Sequence, residues 1–196
     1  IARAQRLIAM YEAAGIGRLV HVSALCGGPS AYARSKQAGD VALAGRARIV
    51  RPSLVLGPGG ASSRMLARLS RLPWLPLPAA VARCRVQPIR VEDLADGLVQ
   101  LLEAPPTHAD WTAVGPQIVT VAELIAQHRA AAGRPPARVV ALPDALSRLT
   151  ARLGDHLPLG PWCSTALDLL ARDSTAPGAP SPLRRPLRGA LSGGWT

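Results

Sequence analysis

Phenylalanine is absent from this chain of 196 residues, and the aromatic complement is four tryptophans and two tyrosines. Lysine occurs once, as Lys36, although Lys and Arg together number 23 against 12 acidic residues. The resulting net charge of +11 invites a nucleic-acid reading. With so few aromatics there is no stacking platform to interleave with the charge, and the arginines are scattered, so that reading is set aside. What the charge leaves open is contact with an acidic partner or an anionic membrane surface, chiefly through the tail, where Arg184, Arg185 and Arg188 cluster. Cys26, Cys84 and Cys163 are odd in number and far apart, which excludes a disulfide framework and a CxxC clip and suits a reducing compartment. His21, His108, His128 and His156 make no ligand pair, so no metal is assigned. No apolar run approaches the roughly 20 residues of a transmembrane helix.

What is present reads as globular: 48% of residues are hydrophobic and 18% charged. Residues 2–14 place Leu7, Ile8 and Tyr11 at helical spacing before Gly15. RLVHVSAL at 18–25 is short and rich in β-branched residues, the pattern of a buried strand, and it ends in Gly27-Gly28-Pro29. Residues 31–44 are helical in character, and ARIVRPSLVLG at 47–57 is a second buried strand, with Pro52 limiting its ladder. Strand, helix, strand predicts a parallel βαβ unit with 31–44 as the crossover, and hence a doubly wound α/β sheet. Further on, residues 93–103 predict a helix that Asp93 can cap, and 111–115 a short strand. Thr120-Val121-Ala122-Glu123 is a capping box, 138–143 a strand, and helices are expected near 144–153 and 164–172. Residues 174–196, rich in Pro, Gly, Ser and Arg, predict a disordered tail.

Tyr32-Ala33-Arg34-Ser35-Lys36 carries the chemistry. A spacing of four on a helix puts Tyr32 and Lys36 one turn apart on one face. A tyrosine ordinarily titrates near 10, and acid–base work near neutrality requires about 4 kcal/mol in favour of its anion. An ammonium at about 4 Å supplies that order of energy at an effective dielectric near 20. The one lysine of an arginine-rich chain thus stands where a compact ammonium differs most from a guanidinium.

A strand ending in Ser23, then Tyr-x-x-x-Lys opening a helix, then Arg51-Pro52 in the next strand resembles the extended short-chain dehydrogenase/reductase family, the NAD-dependent epimerase/dehydratase type. HVSA at 21–24, RPSLVLGPG at 51–59, QPIRVEDLA at 87–95 and VGPQIVTVAEL at 114–124 are together most similar to the nucleotide-binding accessory subunits of respiratory complex I and their bacterial relatives, over residues 2–172. The resemblance implies NAD or NADP as cofactor. It implies catalytic roles for Tyr32, in proton exchange with a substrate hydroxyl or carbonyl, Lys36, holding the ribose hydroxyls and lowering the tyrosine's pKa, and Ser23, orienting the substrate oxygen. Val22, Ser23, Tyr32, Lys36, Pro52, Leu54 and Val55 would line the cofactor. Ser23 stands nine residues before Tyr32, closer than the family's usual gap, and strand register leaves Ala24 as the alternative occupant of the serine's place.

The family's Gly-rich phosphate turn and ribose-reading acid are not found here, so NAD versus NADP stays open, and an N-terminal half is expected to precede Ile1. The expected organisation is the C-terminal half of a Rossmann domain over 1–60, a substrate-side segment over 61–88, a return over 89–103, a small α+β substrate-side subdomain over 104–173, and the tail. Three functions follow: an NAD(P)-holding subunit of a membrane-associated respiratory complex, cytoplasmic and peripheral on the inner membrane; an active reductase, epimerase or dehydratase on a nucleotide-sugar, sterol-like or quinone-related substrate; or a truncated product without cofactor. The upstream reading frame discriminates the third from the others.

Overall fold

In the computed structural model, which describes residues 2–105, 110–156, 163–181 and 183, the expected βαβ unit is in place. Strands β1 (Val20–Val22) and β2 (Arg48–Pro52) pair in parallel with Val20 opposite Arg48. The crossover between them is α2 (Ala31–Leu43), and α1 (Ala2–Ala13) precedes the unit. The Ser30 hydroxyl caps α2 by accepting from the Ala33 amide at 3.1 Å, so Tyr32 sits in the first turn.

A third parallel strand, β7 (Trp111–Ala113), completes the sheet in the order β1-β2-β7. This corrects the domain reading: residues 111–113 belong to the main sheet, not to a substrate-side subdomain over 104–173. Three residues bounded by Gly115 are too short to announce which sheet they join. Among the described residues β1 has a neighbour on one side only, as expected of an open edge.

Side-chain alternation divides the sheet's two faces. Val20, Val50 and Trp111 turn toward α5 (Val91–Glu103), packing with Leu94, Leu98 and Leu101. Gly97 lets α5 come this close, since a Cβ there would collide with the Trp111 indole. Arg48, on the same face, donates to the carbonyls of Leu101 and Pro105 and so satisfies the end of α5. On the other face His21 and Arg51 turn toward α2. Arg51 Nε donates to Asp40 at 2.7 Å and its Nη1 to Asp110 at 2.8 Å. Ile8, Leu43 and Ala47 close that side.

Asp93 does not cap α5. The helix starts two residues earlier, with Arg90 at the cap, and Asp93 is buried inside its first turn. The capping box is realised: Thr120 Oγ1 accepts from the Glu123 amide at 3.1 Å and Glu123 Oε2 from the Thr120 amide at 2.7 Å, opening α6 (Val121–Ala131).

Three further short ladders and a second core follow. Strand β3 (Val55–Leu56) pairs with β6 (Ile89–Arg90), and β5 (Arg85–Val86) pairs antiparallel with β8 (Val119–Thr120). Strand β4 (Trp74–Pro78), which its prolines hid from the sequence pattern, runs parallel to β9 (Arg138–Leu142), expected at 138–143. With Pro76 and Pro78 lacking amides, β4 suits a ladder on one side only. Leu56, Leu66, Leu75, Val86, Leu124 and Ile125 form the core, joined by α3 (Ala61–Leu69) and α4 (Ala79–Arg83). Helices α7 (Asp144–His156) and α8 (Ser164–Leu170) follow.

Residues 174–176 overturn part of the tail expectation. The Ser174 amide donates to the Arg85 carbonyl at 2.8 Å, and the Ala176 amide to Gln87 Oε1 at 2.9 Å. Low hydrophobicity argues for disorder only where the backbone finds no partner, and here β5 offers one. Of the remainder of that expected tail, Pro182 and 184–196 lie outside the described residues. Among the described residues no helix is long and apolar enough to cross a membrane, and no cluster of His, Cys, Asp and Glu could hold a metal.

Candidate functional site

A cavity of about 300 Å³ opens beyond the carboxyl ends of β1 and β2, where open parallel sheets bind ligands. It brings together Ser23, Tyr32, Pro52, Leu54 and Val55 of the expected residues. Val22 and Lys36 do not line it. Val22 ends β1 with its side chain 40% exposed, on the opposite face from Ser23.

Ser23 is 4% exposed, and its Oγ has no hydrogen-bond partner among the described residues. Its amide donates to the Val50 carbonyl at 2.7 Å, so backbone pairing with β2 fixes where the hydroxyl points. A buried hydroxyl without a partner costs about 1–3 kcal/mol, which a ligand oxygen in the cavity would relieve. Ala24 also lines the cavity, but it brings no polar group.

The Tyr32–Lys36 pair lies on one helix face as expected, with a different electrostatic outcome. Lys36 Nζ stands over the ring, 5.7 Å from its centroid, and reaches the Val22 carbonyl at 3.4 Å. The Tyr32 phenol is pushed above its ordinary value, by burial first and by neighbouring Cys26 second. The expected lowering by Lys36 is therefore not realised in this conformation. The cation faces the ring, and desolvation of the phenol dominates.

Behind the site, burial pulls the His21 imidazole below its usual range, opposed by Asp40 at 3.6 Å. The Asp40–Arg51–Asp110 chain thus ties α2 to β2 and holds the helix that presents Tyr32.

Residues distant in sequence close the cavity. Leu169, Leu170, Arg172, Asp173 and Ser174 form its far wall. Ser174 Oγ donates to the Leu25 carbonyl at 2.8 Å, while Ser53 Oγ donates to the Ser174 carbonyl at 2.6 Å. Asp173 accepts from the Arg85 amide and from its Nε, both at 2.8 Å, and the Cys84 thiol donates to the Arg172 carbonyl at 3.0 Å. Gly28, at φ +106°, leaves room for Arg172, whose Nε lies 2.6 Å from where a Cβ would stand. None of this wall was marked by the sequence. Its partners Leu25, Ser53 and Gln87 do lie in segments singled out in the sequence.

No protein-family model matches the chain, and no curated protein matches its sequence. Solved structures do match. MoeE5 in complex with UDP-glucose and NAD is 20% identical with a TM-score of 0.58, over 72% of this chain and 57% of that one. The dTDP-glucose 4,6-dehydratase DesIV from Streptomyces venezuelae, with NAD bound, is 22% identical with a TM-score of 0.57, over 70% of this chain and 52% of that one. The dTDP-glucose 4,6-dehydratase from Bacillus anthracis, in complex with NAD, is 15% identical with a TM-score of 0.60, over 71% and 54%. The chain thus spans little more than half the length of these proteins. At such identities the likeness concerns the fold, and the fold is Rossmann-like: a parallel α/β sheet of the kind these NAD-bound structures share.

Proposed function

We propose that this chain forms the substrate-facing part of an NAD(P)-binding protein of the extended short-chain dehydrogenase/reductase type. Its chemistry would be that of an epimerase, dehydratase or reductase on a nucleotide-sugar-like substrate. The observation that carries this reading is the cavity joining the orphaned Ser23 hydroxyl to Tyr32 at the ends of parallel strands. At about 300 Å³ it suits the nicotinamide end of a dinucleotide and the reacting carbon of a substrate, and a whole dinucleotide would extend beyond it. Pro52, Leu54 and Val55 would line the nicotinamide, and Lys36, released from the Val22 carbonyl, would hold the ribose hydroxyls. When bound, the nicotinamide supplies the hydride acceptor. Tyr32 then takes or returns the proton of the substrate hydroxyl, and Ser23 donates a hydrogen bond to the same oxygen. The phenol's raised pKa makes proton donation its easier role until a bound ribose draws Lys36 toward its oxygen.

The raised pKa also favours a second reading, in which the protein holds the nucleotide without turnover, as an accessory subunit of a membrane-associated respiratory complex. The sequence segments similar to complex I accessory subunits support it. The discriminating experiment titrates the protein with NADH by fluorescence and follows turnover of nucleotide sugars. Lys36→Ala is expected to weaken nucleotide binding about tenfold, the loss of one charged contact. Tyr32→Phe should leave binding intact and abolish turnover in an enzyme, whereas a holding subunit has none to lose. Unchanged affinity in Lys36→Ala would sink both readings.

A further inference from the structure

Helix α7 packs its small residues inward and leaves its large ones out. Ser147 is 2% exposed and Ala151 is fully buried, one turn apart on the side that meets α8 and β4. Leu146, Leu149 and Leu153 are 44%, 56% and 53% exposed. Their spacing of three and four gathers them in one stripe, well away from the Ser147–Ala151 line. Exposed Arg148 and Arg152, also one turn apart, flank the stripe. Asp144 and Asp155 stand one turn from Arg148 and Arg152, on the side away from the leucines, and Asp155, within the field of Arg152, accepts from the Ser164 amide at 2.9 Å. Strand β9, which leads into α7 through Pro143, continues the theme. Its Arg138 lies 5.7 Å over the ring of Trp74, which is 60% exposed, and Val140 beyond it is 41% exposed.

We infer that the leucine stripe of α7 docks on an anionic phospholipid surface, with Leu146, Leu149 and Leu153 entering the acyl boundary and Arg148 and Arg152 at the lipid phosphates. Leucines on one side with arginines beside them are the pattern of a helix that lies in the plane of a membrane interface. A guanidinium matches a phosphate with paired hydrogen bonds. The net charge of +11 draws the chain as a whole to an anionic surface. A second copy is the weaker occupant, since an isologous contact would bring Arg148 and Arg152 against their own images. Three half-exposed leucines also fall well short of the roughly 800 Å² per partner of a stable protein interface.

Co-sedimentation of the full chain with vesicles tests this, using phosphatidylcholine alone and phosphatidylcholine mixed in equal parts with phosphatidylglycerol. Binding to the mixed vesicles is expected, weakening as salt is added, with little binding to phosphatidylcholine. Leu149→Ser and Leu153→Ser should each lower partitioning about tenfold, and Arg148→Gln and Arg152→Gln about fivefold each. All four sites are exposed, so the variants should melt like the parent. Should either leucine variant melt early, the other carries the comparison. Absence of binding to mixed vesicles overturns the proposal, as does binding indifferent to the leucines. A dimer in sedimentation velocity that Leu149→Ser dissolves, without vesicle binding, would assign the stripe to a second copy instead.

Discussion

Ser174→Ala removes one hydroxyl from the wall of the cavity, and its cost can be worked from the contacts. Ser174 Oγ donates to the Leu25 carbonyl at 2.8 Å and lies 3.1 Å from Ser53 Oγ. The substitution deletes the donor and leaves the part-buried Leu25 carbonyl without it, a loss of about 2 kcal/mol. The backbone contacts stay: Ser53 Oγ and the Gln87 amide still donate to the Ser174 carbonyl, at 2.6 and 3.2 Å. A thermal melt should therefore fall by about 4–8 °C, the scale for a chain of this size. The effect should also be local. Leu25 opens the loop that carries Cys26, so Ellman's reagent should react with Cys26 faster in the variant, with Cys163→Ala in both proteins to remove the other part-exposed thiol. A chain ending at Asp173 should do worse than Ser174→Ala, because it loses the Arg85 and Gln87 contacts as well. A melt within about 1 °C of the parent, together with unchanged Cys26 reactivity and an unaffected truncation, would refute the clasp and restore the disordered tail to position 174.

Arg129→Met should cost about 3–5 kcal/mol in urea unfolding, because the buried guanidinium donates to the carbonyls of Ser70, Leu72 and Pro135 and no other group replaces it. A cost under about 1 kcal/mol would show those carbonyls finding water instead. Gly97→Ala should cost about 1–3 kcal/mol by driving a methyl into the Trp111 indole. Pairing it with Trp111→Leu should recover part of that loss, and strict additivity would refute the contact. The Cys84 thiol is pushed up to about 11 from an ordinary 9.0, by burial first and Asp173 second. Its folded value lies above its unfolded one, so its contribution is complete below about pH 9 and is lost as pH rises toward 11. The melting temperature should therefore fall across that window, and the fall should be smaller in Cys84→Ala.

Much of this molecule was legible in the chain because the signals were local. The crossover from 18–25 through 31–44 to 47–57 was written in runs of β-branched residues and helical spacing, which reflect which faces are buried. The capping box at Thr120 and Glu123 was equally clear, since both partners lie within four residues. Tyr32 and Lys36 fell on one face by helical geometry alone. Their electrostatics did not follow, because the position of Lys36 Nζ over the ring and the desolvation of the phenol depend on what surrounds the helix. Strand β4 was masked by its prolines, and β7 was too short to show its sheet; each is defined by a partner some 60 residues away. The cavity's far wall depends on Ser174 meeting Leu25 across 149 positions, a contact that no local pattern encodes. Periodicity and spacing thus determined the elements and the helix that carries Tyr32 and Lys36. Tertiary structure decided the direction in which the tyrosine's pKa moves, the orphaning of the Ser23 hydroxyl and the closure of the site, because burial and long-range hydrogen bonds exist only once the chain has folded back on itself.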